Sequence, residues 1–130
     1  MSLEFKKKWV QNFASDIDDI FINENVYDGG FVWHVFSFDK IDKSKYLCGI
    51  DAQKRYDEID KKDALVYLYF EGKEKPITKK YMTFKQLFKC HEVYVYAKDY
   101  SWCYIKTHEC DEDFDENDET YGPYFIEKIK

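Results

Sequence analysis

At 130 residues and a formal net charge of −6, the chain is sized for one domain and too acidic to track a nucleic-acid backbone. Hydrophobic residues make up 45% of it and aromatics 20%, which excludes a disordered polymer and supplies a real core. Arg55 is the only arginine, so the planar fork that grips phosphate is almost missing. An acidic surface of this kind serves solubility, or steers a basic partner towards it.

Residues 3–22 read as an amphipathic helix, with Phe5, Trp9, Phe13, Ile17, Ile20 and Phe21 at spacings of three and four. Its basic end is N-terminal and its acidic end C-terminal, against the helix dipole, so packing has to hold it. Lys6–Lys8 lead into Gln11, Asn12, Asp16 and Asp18 instead of an unbroken apolar core. Neither a secretory leader nor a membrane span is predicted, and the chain reads as cytoplasmic. Residues 23–30 form a turn-rich connector. The apolar run 31–38 reads as a strand and 40–49 as a polar loop. Asp51 is placed to cap a helix over 52–61. A second strand follows at 64–70, then a charged loop to Pro76 and a short strand or extended arm at 77–82. Thr83 and Gln86 match a capping box that opens a short helix carrying Phe84, Leu87 and Phe88. Strands at 92–98 and 101–107 form a hairpin about Asp99-Tyr100. Residues 111–119 are an acidic loop, and Gly122-Pro123 opens a last strand over 123–129.

These elements predict a single α+β domain over residues 1–130. It has a mainly antiparallel sheet of about five strands, with three helices packed on one face. Period-two reading puts Val66, Leu68, Phe70, Val93, Val95, Ala97, Cys103 and Ile105 on an aliphatic face under the helices. It puts Tyr67, Tyr69, Tyr94, Tyr96, Trp102 and Tyr104 on the other, an aromatic face suited to binding. A protein partner, a second copy in a homodimer, or another part of the chain would cover that face.

No catalytic set stands out. His34 and Ser37 are an odd number of residues apart on the expected strand and project to opposite faces, and no Gly-x-Ser-x-Gly elbow exists. Cys48, Cys90, Cys103 and Cys110 read as reduced thiols, and without paired Cys-x-x-Cys knuckles no zinc site is expected. Tested as a calcium loop from Asp111, the acidic run fails at the sixth-position glycine and at the closing glutamate. No cofactor is implied. One constellation is worth following: if strands 101–107 and 123–129 pair, Thr107-His108-Glu109 comes opposite Tyr121 to Tyr124. That would gather His108, Glu109 and Tyr124 at one sheet end, as a site or as loop-closing hydrogen bonds.

Trp33-His34-Val35-Phe36-Ser37, then Trp102 with Thr107-His108-Glu109, then Gly122-Pro123-Tyr124-Phe125 resemble the signature positions of a small bacterial family of unknown function. The resemblance covers nearly the whole chain and implies a bacterial cytosolic protein, with no activity or cofactor attached. The related members have a short segment where this chain carries its acidic run. The resemblance marks His34, His108 and Glu109 as a shared feature. The reading that follows is a non-catalytic interaction protein, similar to small acidic immunity or antitoxin proteins. The alternative is a small enzyme or ligand-binding domain using His34, His108, Glu109 and nearby tyrosines.

Overall fold

The computed structural model describes residues 2–110 and 122–128. Helix α1 spans Leu3–Phe13 and is opened by Ser2, whose hydroxyl accepts the Phe5 amide at 3.2 Å. It stops at Ala14, where φ is −144°, so the single helix expected over 3–22 is broken. Helix resumes as α2, Asp19–Ile22, and runs on into a π-helical turn, Asn23–Tyr27. A wide turn of this kind leaves carbonyls without ladder partners. The buried ammonium of Lys6 donates to one of them, Val26 O at 2.7 Å, and to Gly30 O beyond the turn at 2.8 Å. Desolvation holds the Lys6 pKa below its ordinary value.

The apolar run expected to be a strand is instead a turn leading into a short helix α3, His34–Ser37. Val32, Trp33, Val35 and Phe36 are all buried, which is a helical turn's pattern and not an alternating one. Phe38 N closes the turn on His34 O at 2.9 Å.

Six strands follow among the described residues, one more than expected. They are β1 (Tyr46–Cys48), β2 (Ala64–Leu68), β3 (Lys73–Pro76), β4 (Val93–Ala97), β5 (Trp102–Lys106) and β6 (Tyr124–Glu127). They form one antiparallel sheet in the order β1-β6-β5-β4-β2-β3. Two further helices, α4 (Ile50–Glu58) and α5 (Phe84–Leu87), lie between the strands in sequence. The capping box is formed as read: Thr83 accepts the Gln86 amide, and the Gln86 side chain returns to the Thr83 amide.

Helices cover both faces of the sheet, not one. On the first face α1 and the 22–41 region pack Phe5, Trp9, Val26, Trp33 and Phe36 against Tyr67, Tyr94, Tyr96, Cys103, Ile105 and Tyr124. On the second, α4 and α5 pack Ala52, Tyr56 and Leu87 against Val66, Val93, Val95, Trp102, Tyr104 and Phe125. The hairpin register explains why the expected grouping fails. Tyr94 pairs with Ile105 and Tyr96 with Cys103, and cross-strand partners share a face. Carried across the turn, the period-two pattern inverts in β5, so Trp102 and Tyr104 lie on the face opposite Tyr94 and Tyr96. Among the described residues, Tyr67, Tyr94, Tyr96, Trp102 and Tyr104 are buried beneath these helices and do not form one exposed aromatic face.

Trp9 is fully buried at the centre of the first face, with its indole N–H on Cys103 Sγ at 3.3 Å. Trp9→Ala is expected to lower unfolding free energy by about 3–5 kcal/mol in denaturant titrations. A loss under about 1 kcal/mol would show that α1 is not part of the cooperative core.

Candidate functional site

The chain's three histidines meet at one end of the sheet, each brought there by a different element. His34 begins α3, His91 leads into β4, and His108 follows β5. They surround a stacked pair, Phe31 and Trp33, whose rings are 5.0 Å apart at 18°. His34 lies 5.5 Å from Phe31 and 4.7 Å from Trp33; His108 lies 5.1 Å and 5.5 Å from the same rings. His91 stacks on His108 at 5.6 Å, and Phe70 on His91 at 5.2 Å. On the other side Phe38 meets His34 at 5.2 Å. Phe70 is 74% exposed and Phe38 50%, so the patch ends in solvent at both edges.

Beneath the rings is Glu92, only 2% exposed. Its carboxylate accepts from Trp33 Nε1 (3.2 Å), His108 N (3.3 Å), His108 Nδ1 (2.8 Å) and Tyr94 Oη (2.6 Å). A buried carboxylate is tolerable only when donors replace its water, and here four do. Burial, then the Glu92 charge, push the Tyr94 phenol well above its usual range. The network ties α3, β4 and the end of β5 together.

His34 is fixed by the backbone instead. Its Nδ1 lies 2.7 Å from Asn25 O, while the Phe31 amide is 3.4 Å from the same nitrogen. A lone pair cannot face a carbonyl oxygen at 2.7 Å, so the shorter contact decides and Nδ1 donates to Asn25. Gly30 makes this approach possible, because a Cβ there would sit 1.8 Å from the Asn25 oxygen. Along the chain, positions 15–40 expose Asp16, Asp18, Asp19, Glu24, Asp28 and Asp39 against Lys40 alone, with Asp16 paired to Lys45 at 3.8 Å.

The model of a family described as a domain of unknown function (DUF4275) matches residues 2–125. The chain belongs to this family. No curated protein and no solved structure matches it. The DUF4275 match contains every residue of the patch, from Asn25 to His108.

Of the residues singled out in the sequence, His34 and His108 are brought together, and Tyr69 joins them through Phe31 at 5.5 Å. Glu109 is exposed and bonds neither imidazole among the described residues; the carboxylate that does is Glu92. Tyr67, Tyr94, Tyr96 and Tyr124 are interior, against α1 and α3: Tyr67 stacks on Phe5 at 4.7 Å and Tyr124 on Phe36 at 4.6 Å. Trp102 and Tyr104 are buried on the opposite side, with Tyr104 stacked on Tyr56 at 4.5 Å. The acidic run 111–119 lies outside the described residues. Among those described, no three His, Cys, Asp or Glu side chains group to hold a metal ion. Among the described residues no helix is long and apolar enough to cross a membrane. Glu92, Phe31 and His91 were given no part in a site by the sequence, and Trp33 entered only within the Trp33–Ser37 motif. The signal for Glu92 was present: it shares the period-two face of Tyr94 and Tyr96, an acid in line with buried rings.

Proposed function

We propose that this DUF4275 domain is a non-catalytic protein-interaction module. Its contact surface is the imidazole–aromatic patch running from Phe38 through His34 and His108 to Phe70. One observation carries the reading: two large phenylalanines are left in solvent at the ends of a patch whose centre is pinned by Glu92. Rigid rings on a fixed base give contact area at little entropic cost on binding. The exposed acids of 15–40 favour a basic partner, as in the small acidic proteins that block one. A small enzyme or ligand-binding domain finds support in the Glu92–His108 pair, since a carboxylate that fixes an imidazole is one part of a general base.

A photo-crosslinking residue at position 38 or 70, introduced in the source cells, is expected to give one discrete protein adduct. The same residue at Leu47, on the edge strand β1, should not. Equal labelling from all three positions would refute the surface.

A further inference from the structure

We infer that the group this patch receives is a guanidinium: an arginine side chain of the partner, laid on the exposed rings with its N–H donors on Nε2 of His34 and His108. The inference rests on the interaction reading above.

Three observations converge on that chemistry. The first is the tautomers. His34 donates from Nδ1 to Asn25 O and His108 from Nδ1 to Glu92, so in the neutral imidazoles each Nε2 is a lone-pair acceptor. Neither Nε2 has a hydrogen-bond partner among the described residues. Two acceptors therefore flank one pair of rings. The second is the rings, Phe31 between the imidazoles and Phe38 beside His34, which suit a flat cation laid face to face. The third is charge: the segment 15–40 that carries Phe31, His34 and Phe38 exposes six acids against Lys40, with Asp16 paired to Lys45 and the Lys106 ammonium on the His91 carbonyl at the far end of the patch. A guest that answers all three is planar, cationic and donor-only. An ammonium is compact, strongly hydrated and unable to stack, and a neutral amide gains nothing from the field.

The chain's own guanidinium shares the ring contact but has a carboxylate as its acceptor. Arg55 meets Glu127 at 2.7 and 3.3 Å and stands over the Phe125 ring at 5.9 Å. The sequence's single arginine is held in that pair, so we take the guest to come from a different protein and leave a second copy as an outcome of the test.

The test uses the whole chain and three blocked amino-acid amides, of arginine, citrulline and lysine, followed by NMR. Long-range proton–nitrogen spectra of the neutral histidines should show Nδ1 protonated and Nε2 bare at both His34 and His108. Arginine amide should shift both Nε2 resonances and bind at least about tenfold tighter than citrulline amide. It should also bind more tightly than lysine amide. His34→Ala and His108→Ala should each abolish most of that preference while amide spectra stay dispersed. An Nε2-protonated tautomer at either histidine, which needs no variant to detect, would overturn the inference. So would equal binding of arginine and citrulline, or a dimer in sedimentation that dissociates when Phe70 is changed to Asp. If arginine preference is absent but crosslinks from positions 38 and 70 persist, the guanidinium assignment falls alone. If arginine binds and no crosslink forms, the site stands and the interaction reading falls.

Discussion

Raising the pH through 10 should unfold the domain before its interior tyrosines ionise. Burial pushes the phenols of Tyr56, Tyr94, Tyr96, Tyr104 and Tyr124 above their ordinary value of 10.0, and that of Tyr100 up to about 12. A folded-state pKa above the unfolded one means the native fold favours the neutral phenol. That stabilisation is complete below pH 10 and is lost as pH climbs towards each folded value. Each tenfold suppression of ionisation is worth about 1.4 kcal/mol. Several buried phenols acting together exceed the roughly 5–15 kcal/mol that holds a domain folded. Lys6 and Lys61, whose pKa values burial lowers, act in the opposite sense, but their gain is complete by their ordinary value of 10.5. The midpoint should therefore fall below about pH 12. Absorbance at 295 nm is expected to rise in a sharp step coincident with loss of far-UV circular dichroism. A single smooth titration with native dichroism throughout would contradict the burial assigned to these rings.

Replacing Glu92 is the second large effect. Glu92→Leu fills similar volume but strands the donors of Trp33, Tyr94 and His108 in a dry interior. A loss of about 3–5 kcal/mol is expected in urea titrations. Glu92→Gln keeps one oxygen but points an NH2 group at donors, and should cost less. The patch reports the change as well: without the carboxylate, His108 loses the partner that fixes its tautomer. A Glu92→Leu protein as stable as the parent would mean that the four hydrogen bonds do not persist in solution.

Much of the sheet was legible in the sequence. Thr83 and Gln86 mark the start of α5, and the alternation in 64–68, 93–97 and 102–106 marks three strands correctly. What failed has physical causes. The run 31–38 is apolar both where it is buried, at Val32, Trp33, Val35 and Phe36, and where it reaches solvent, at Phe38, and such a run has no period that separates strand from helix. Edge strands β1 and β3 pair on one side only, and β3, Lys-Glu-Lys-Pro, has the charge and proline that keep an edge from pairing further. They do not resemble strands because they are edges. The two faces were misassigned because turn length fixes the parity between strands of a hairpin, and alternation within one strand carries no information about it. The site was half legible for a related reason. His34 and His108 are visible as residues, but Glu92 gains its meaning only when three separate segments place four donors around it.

The strand order also sets the sequence of events during synthesis. Helix α1 leaves the ribosome first, yet Trp9 rests on Cys103, 94 residues later in the chain, and β1 finds its only partner in β6. Until β4, β5 and β6 have been made, the apolar side of α1 and the 22–41 region have no sheet to cover. Contacts this distant in the chain favour slow, late assembly, and they lengthen the time in which Trp9, Trp33 and Phe36 stay exposed on the nascent polypeptide. A domain so aromatic inside thus depends, while it is being built, on the acids that keep its unfinished chain soluble.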